Sequence, residues 1–172
     1  MRMAFEDALN MLISSDIQSI FVFGSDALRF FLFIVGVMDR VLILSEFPQP
    51  LNAHFRDSQY IVECCTPLNP YDIFKFIGKG IDSIIYLPSI IFLQARGNSF
   101  MPLYKVSIKM FLERVKMVLR VCRFSSLKLI LIFNGGTLSI DNALVFSPKF
   151  LGFLASLFDI TIYCESNHVM II

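Results

Sequence analysis

Residues 126–141 read Ser-Leu-Lys-Leu-Ile-Leu-Ile-Phe-Asn-Gly-Gly-Thr-Leu-Ser-Ile-Asp, and this stretch decides the fold class. Leu127 to Phe133 is a nearly continuous apolar run, with turn chemistry (Asn134, Gly135, Gly136) straight after it. A strand that is apolar at successive positions is buried on both faces, the condition of a central strand in a parallel sheet. In open α/β sheets, ligands sit just past the carboxyl ends of such strands. Asn134 therefore stands where an enzyme of this architecture would place a functional polar residue.

Upstream of this strand the longest helix is expected over Leu103 to Arg123. Downstream, a loop (137–146) leads to a helix from Ser147-Pro148 to about Phe158, then a strand from Ile160 to Cys164 and the polar Glu165-Ser166-Asn167-His168. Ser83 to Leu87 is a strand ended by Pro88, and residues 88–101 turn from apolar to turn-like at Gly97-Asn98-Ser99. Asn69-Pro70 opens a helix through Ile77 that stops at Gly78-Lys79-Gly80. Tyr60 to Cys64 reads as a short extended piece or a helix end, after a proline-containing loop over 47–58. Val41 to Leu44 is a strand closed by Ser45-Glu46 and broken by Pro48 and Pro50. Ser19 to Phe23 is another, ending in Gly24-Ser25-Asp26, with Asp26 suited to cap a helix over Ala27 to Val37. Met3 to Ser14 forms a short amphipathic helix with Phe5, Leu9 and Leu12 or Ile13 near one face. Strands alternating with helices at this spacing give βαβ units, hence an α/β fold with a mainly parallel sheet flanked by helices. No repeat or interdomain linker interrupts it, so residues 1–172 read as one domain: an N-terminal helix over 1–16 and an α/β core over 17–172.

Composition narrows the function classes. Hydrophobic residues make up 56% and charged ones 17%, an apolar balance for a globular domain. The longest charge-free run, Ser83 to Ala95, is interrupted by Pro88 and falls short of the roughly 20 residues that a spanning helix needs. The N-terminus turns acidic at Glu6-Asp7 before any apolar region, against a secretory signal. Surplus apolar surface on such a chain implies a permanent partner. Cys64, Cys65, Cys122 and Cys164 form no C-x-x-C pair and no metal spacing with His54 or His168, which points to reduced, buried cysteines and no bound metal. The net charge is +1 but unevenly spread: residues 96–128 carry eight bases against one acid, while 1–95 carry ten acids against six bases.

A strand ending in Gly24 and running into a helix is the setting of a phosphate-binding loop, whose chemistry needs glycines and a Lys-Ser or Lys-Thr pair. Counted from Gly24, the positions for Gly, Lys and Ser/Thr hold Arg29, Phe30 and Phe31, and no lysine in the chain precedes Ser or Thr. Nucleotide hydrolysis is therefore not expected, and no cofactor is.

The order of elements nonetheless resembles the RecA-type recombinase core. Gly24 follows a first strand, Val-Leu-Ile-Leu-Ser-Glu (41–46) is the second and Ser-Ile-Ile-Tyr-Leu-Pro (83–88) the third. Residues 126–134 look like that core's magnesium-site strand, with Asn134 where the family's ATPases carry Asp. Residues 160–169, Ile-Thr-Ile-Tyr-Cys-Glu-Ser-Asn-His-Val, are similar to the next strand, with His168 at the position of the glutamine that senses the γ-phosphate. The resemblance covers roughly residues 17–172 and implies a truncated RecA-like (P-loop NTPase-like) core, lacking the sheet-completing segment beyond residue 172. It is similar to the degenerate recombinase paralogues of Shu-type mediator complexes. Gly24, Ser25, Asn134 and His168 would be a degenerate nucleotide site. Asn134 before Gly-Gly also reads as plain turn chemistry, and His168 as a loop-end histidine with a local hydrogen bond.

At 100° per residue, Lys105, Lys109, Lys116, Arg120 and Arg123 fall within a sector of about 60° on the long helix. Met110, Phe111, Val115, Val118, Val121 and Cys122 form the expected core-facing set. Such a stripe could neutralise phosphates, meet an acidic partner, or simply be a solvated face. No aromatic interleaving in this helix suggests single-strand stacking. The resemblance implies a nuclear, non-catalytic subunit that assembles with other recombinase paralogues or mediator subunits and assists the strand-exchange recombinase in homologous recombination, with DNA as a candidate ligand and no membrane. Two alternatives share the α/β core: a scaffold subunit of an unrelated complex, and an NTPase completed by a neighbouring subunit.

Overall fold

The computed structural model describes residues 2–14, 16–45, 60–63, 70–88, 101–134, 148–166 and 168–172. Along the chain these form β1 (Arg2–Ala4), α1 (Phe5–Ser14), β2 (Ser19–Gly24), α2 (Ala27–Val37), β3 (Val41–Ser45) and β4 (Tyr60–Glu63). A 3-10 helix (Pro70–Lys75), β5 (Ser83–Leu87), α3 (Met101–Phe124), β6 (Lys128–Asn134), α4 (Pro148–Ala155), β7 (Ile160–Glu165) and β8 (His168–Ile171) follow.

All eight strands lie in one sheet, ordered β1-β8-β7-β2-β6-β5-β3-β4. The six from β7 to β4 pair in parallel, and β8 joins antiparallel to β7 and β1. The fold is α/β with a mostly parallel, mixed sheet. The stretches at 20–24, 41–45, 83–87, 127–133 and 160–164 stand side by side, as the sequence reading requires.

The continuous apolar run in β6 is explained by its two neighbours and two faces. Leu129, Leu131 and Phe133 point into one core with Phe111, Val115 and Val118 of α3 and Leu154 of α4. Ile130 and Ile132 point into the other, with Phe30, Phe31 and Ile34 of α2 and Leu9 and Leu12 of α1. Period-two alternation between two buried faces leaves no position for a solvated side chain.

β6 receives its chain from a well-formed helix stop. Ser126 adopts φ +55°; Leu127 N–H donates to Cys122 O at 2.9 Å and Ser126 N–H to Arg123 O at 3.3 Å. That pair of bonds is a Schellman motif, and it aims Leu127 straight into the sheet.

Several boundaries differ from expectation. Tyr60–Glu63 resolves to a strand, parallel to β3. The segment from Pro70 is a 3-10 helix ending at Lys75, followed by turns through Gly80, not a helix to Ile77. α4 ends at Ala155, three residues before the expected Phe158. Its last carbonyls are taken up by turns, with Leu157 N–H on Leu154 O and Phe158 N–H on Ala155 O, both 3.1 Å. The helix expected from Met3 starts at Phe5, because residues 2–4 are an edge strand. Of the pair Leu12 and Ile13, Leu12 is buried and Ile13 is 48% exposed. β8 pairs antiparallel with β7 from Glu165 and His168 onward, so the sheet continues past β7 on that side. The loops at 47–58 and 137–146, residues 89–100, His54, Cys64 and Cys65 lie outside the described residues. Cys122 and Cys164 are free and buried, as expected. Among the described residues no helix is long and apolar enough to cross a membrane.

Candidate functional site

β2 and β6 are adjacent, and their carboxyl ends are in register: Gly24 pairs with Asn134. From β2 the chain leaves through α2, which packs in the core on one face; from β6 it leaves toward α4, which packs on the other. Neighbouring strands whose connections depart to opposite faces define the topological switch point where open α/β sheets bind ligands. Gly24 and Asn134 meet at this point, with Ser25 next in the chain after β2. The side chain of Asn134 lies outside the described ones.

The local chemistry at this point is not that of a phosphate cradle. Only Ser25 and Asp26 separate β2 from α2, too few residues to wrap an anion in backbone N–H groups. Gly24, with φ +125°, is needed for packing: a Cβ there would lie 2.2 Å from Cys164 O on β7. The Asp26 N–H donates to the same carbonyl at 3.3 Å. Asp26 does precede α2, as expected, but its side chain makes no capping hydrogen bond. Its carboxylate puts negative charge at the helix N-terminus, where the macrodipole would otherwise attract an anion. Cys164 beside it is buried, and burial pushes its thiol up to about 12, with Asp26 adding to the rise.

His168 is not brought to this point. It opens β8, opposite Glu165 of β7, and β7 separates β8 from β2. Its Nδ1 lies 2.7 Å from Ser166 O within its own turn, the local hydrogen bond of the simpler reading. With Tyr163, Glu165 and Met170 it lines a cavity of about 190 Å³. Burial, then Glu165, raise the Tyr163 phenol above its ordinary value.

A larger cleft of about 460 Å³ opens at the opposite, amino-terminal end of the strands, among Asp16, Arg40, Asp82 and Lys128. Its charges tie elements together. Arg40 bridges to Asp82 at 3.1 Å and also donates to Gly80 O. Lys128 donates to Leu12 O near the end of α1. Burial lowers the Lys128 amine, partly offset by Asp16.

The basic helix stripe comes out altered. Lys109, Arg120 and Arg123 are exposed on α3, while the side chain of Lys105 lies outside the described ones. Lys116 is half-buried: it pairs with Glu113 at 2.9 Å and sits 5.8 Å from the Phe153 ring of α4. The Lys116 hydrogen bond holds the Glu113 carboxyl below its usual value, with the Lys116 charge next. Arg123 reaches Asp159 at 3.7 Å. Met110, assigned to the core-facing set, is 58% exposed; the buried face turns instead through Phe111, Val115, Val118, Leu119 and Cys122. The centre of the core face lies some 125° around the helix from Met110, which leaves that side chain on the outer surface.

The sequence reading missed the aromatic part of this surface. Phe124, at the end of α3, is 87% exposed, and Phe153 of α4 is 46% exposed. Lys149 stands four residues before Phe153, on the same face of α4, and is exposed. An exposed phenylalanine forgoes about 1.5–3 kcal/mol of burial. The signal that could have found them is the pairing of Phe153 with Lys149 at helical spacing, next to a helix already read as basic.

The sequence matches no protein-family model, and no curated protein resembles it closely enough to count as a match. Among the described residues no group of three or more His, Cys, Asp or Glu could hold a metal ion.

Proposed function

We propose that this chain is a non-catalytic, RecA-like recombinase-paralogue subunit of a nuclear complex. It assembles with other paralogues or mediator subunits, promotes filament assembly by the strand-exchange recombinase in homologous-recombination repair, and contacts DNA. The observation that carries the reading is the register pairing of Gly24 with Asn134 at the switch point of the sheet. A phosphate-loop strand and a magnesium-site strand have a physical reason to be neighbours, and this chain keeps that adjacency without the lysine and carboxylate that would use it. The short Ser25-Asp26 turn and the acid at the start of α2 favour a site that no longer holds a nucleotide. The apolar composition favours an obligate assembly.

Copurification of the tagged chain from its own cells, followed by peptide identification, tests the reading. Other recombinase paralogues or mediator subunits are expected in stoichiometric amounts, and the purified complex is expected to lose no nucleotide affinity when Asn134 is changed to Ala. A stoichiometric partner set unconnected with recombination supports the scaffold alternative and overturns the proposal. Magnesium-dependent nucleotide binding that Asn134→Ala abolishes supports an NTPase completed by a partner, and overturns the non-catalytic part.

A further inference from the structure

We propose that the outer surface of α3 and α4 binds single-stranded DNA, with Phe124 and Phe153 as stacking platforms beside a track of basic groups. This deepens the DNA contact of the preceding reading and rests on it.

Single-strand binding without sequence preference needs two things together: positive charge that follows the backbone, and exposed aromatic faces on which bases stack. The charge track comprises Lys109, Lys116, Arg120 and Arg123, the last paired with Asp159 at 3.7 Å; from the first to the last they span fifteen residues of α3, or about 21 Å along its axis. The aromatic faces are on the same side. Phe124 lies one turn beyond Arg120 and is 87% exposed. Phe153 lies beneath Lys116, 5.8 Å from its amine to the ring centre. Lys149 extends the charge onto α4, one turn before Phe153.

A duplex would use the lysines and arginines but has no use for the two rings, because its bases are already stacked. An acidic protein surface would also match the charge, and aromatic side chains are common at protein interfaces, so the substitutions below are chosen to separate that occupant from single-stranded DNA. Glu113 sits within the track and holds Lys116 at 2.9 Å. It opposes the phosphates, so its removal should tighten binding.

The test is fluorescence anisotropy of a labelled single strand of about 20 mixed-sequence nucleotides, and of the corresponding duplex, against the chain with its copurified partners. Single strand is expected to bind at least about tenfold more tightly than duplex, with a log–log salt slope of roughly −2 to −3 for three to four phosphates neutralised. Phe124→Ala and Phe153→Ala should each weaken single-strand binding about five- to tenfold, Phe124→Trp should retain it, and Glu113→Gln should strengthen it about twofold or more. Both phenylalanines are exposed, so unchanged melting curves will separate lost binding from lost fold. Equal affinity for duplex, or indifference to both phenylalanine substitutions, overturns the inference. So does absence of DNA binding with loss of a copurified subunit in Lys109→Glu with Arg120→Glu, which would make this face a contact for an acidic protein and leave the subunit reading intact. Aromatic-dependent single-strand binding by a complex that contains no recombination protein supports the inference and removes the earlier reading.

Discussion

The carbonyl oxygen of Cys164 occupies the space where any side chain at residue 24 would begin: a Cβ on Gly24 would lie 2.2 Å from it. With φ at +125°, the backbone of Gly24 is also in a region that L residues avoid. Gly24→Ala is expected to destabilise the protein by about 3 kcal/mol or more, combining strain with overpacking against a neighbouring strand. Urea unfolding measures it; a change under 1 kcal/mol would mean that β2 and β7 part without cost at this end.

At Ser126 the opposite substitution helps. A serine at φ +55° holds the left-handed position that ends α3, and glycine relieves the steric penalty there. Ser126→Gly should stabilise by about 1 kcal/mol, raising the thermal midpoint by a few degrees. A lowered midpoint would show that the hydroxyl matters more than the backbone angle.

Asp159 joins the starts of two strands separated by 140 residues. Its Oδ2 accepts from Ser19 N and Ser19 Oγ, each at 2.8 Å, while its own N–H reaches Ser19 Oγ at 3.1 Å. Asp159→Ala leaves two donors without their acceptor and should cost about 1.5–3 kcal/mol. Asp159→Asn keeps an acceptor oxygen and should cost less. Equal losses for the two, measured by denaturant titration, would contradict this account.

The thiols of Cys122 and Cys164 are each pushed by burial from the ordinary 9.0 up to about 12. A folded value above the unfolded one means that the contribution is complete below pH 9 and disappears as pH rises toward 12. Across that window the unfolded chain releases a proton that the folded chain retains, so stability should fall by about 1.4 kcal/mol per pH unit for each thiol. Cys122→Ala should remove one such increment from the slope of stability against pH between about 9 and 11. An unaltered slope would show that this thiol ionises normally in the folded protein.

Lys116→Glu combined with Arg120→Glu should weaken DNA binding and flatten its salt dependence, while the protein stays folded with a midpoint lowered by a few degrees at most, from the lost Glu113 pair. Lys116 is the more sensitive of the two, since it also packs near Phe153. Circular dichroism melts with anisotropy titrations check both halves, and full retention of affinity would remove the stripe as a DNA contact.

The parallel half of the sheet was legible because buried strands write themselves as apolar runs, as in Leu129–Phe133, where consecutive side chains serve opposite cores. β8 was not, because His168 and Met170 face outward while Val169 is buried, and four alternating residues after a polar turn carry little signal. β1 escaped for a related reason: three residues against β8 leave no period to read, and Met3 blends into the helix that follows. The stripe on α3 followed from helix geometry alone, but its partners did not. Glu113 could be found at i−3 from Lys116, whereas Phe153 and Asp159 come from another element and needed the tertiary fold. Met110 is apolar but lies about 125° from the centre of the core face, so helix angle and not hydrophobicity alone decides its exposure.

The edge formed by β1 and β8 couples Arg2 to Met170 and Ala4 to His168. During synthesis at roughly 5–20 residues per second, the first of these strands must wait on the order of ten to thirty seconds for its mate to leave the ribosome. Throughout that interval the nascent chain exposes an unsatisfied sheet margin next to a largely apolar sequence. A chaperone or a cotranslationally captured subunit would have its greatest effect then, before the first strand has met its mate.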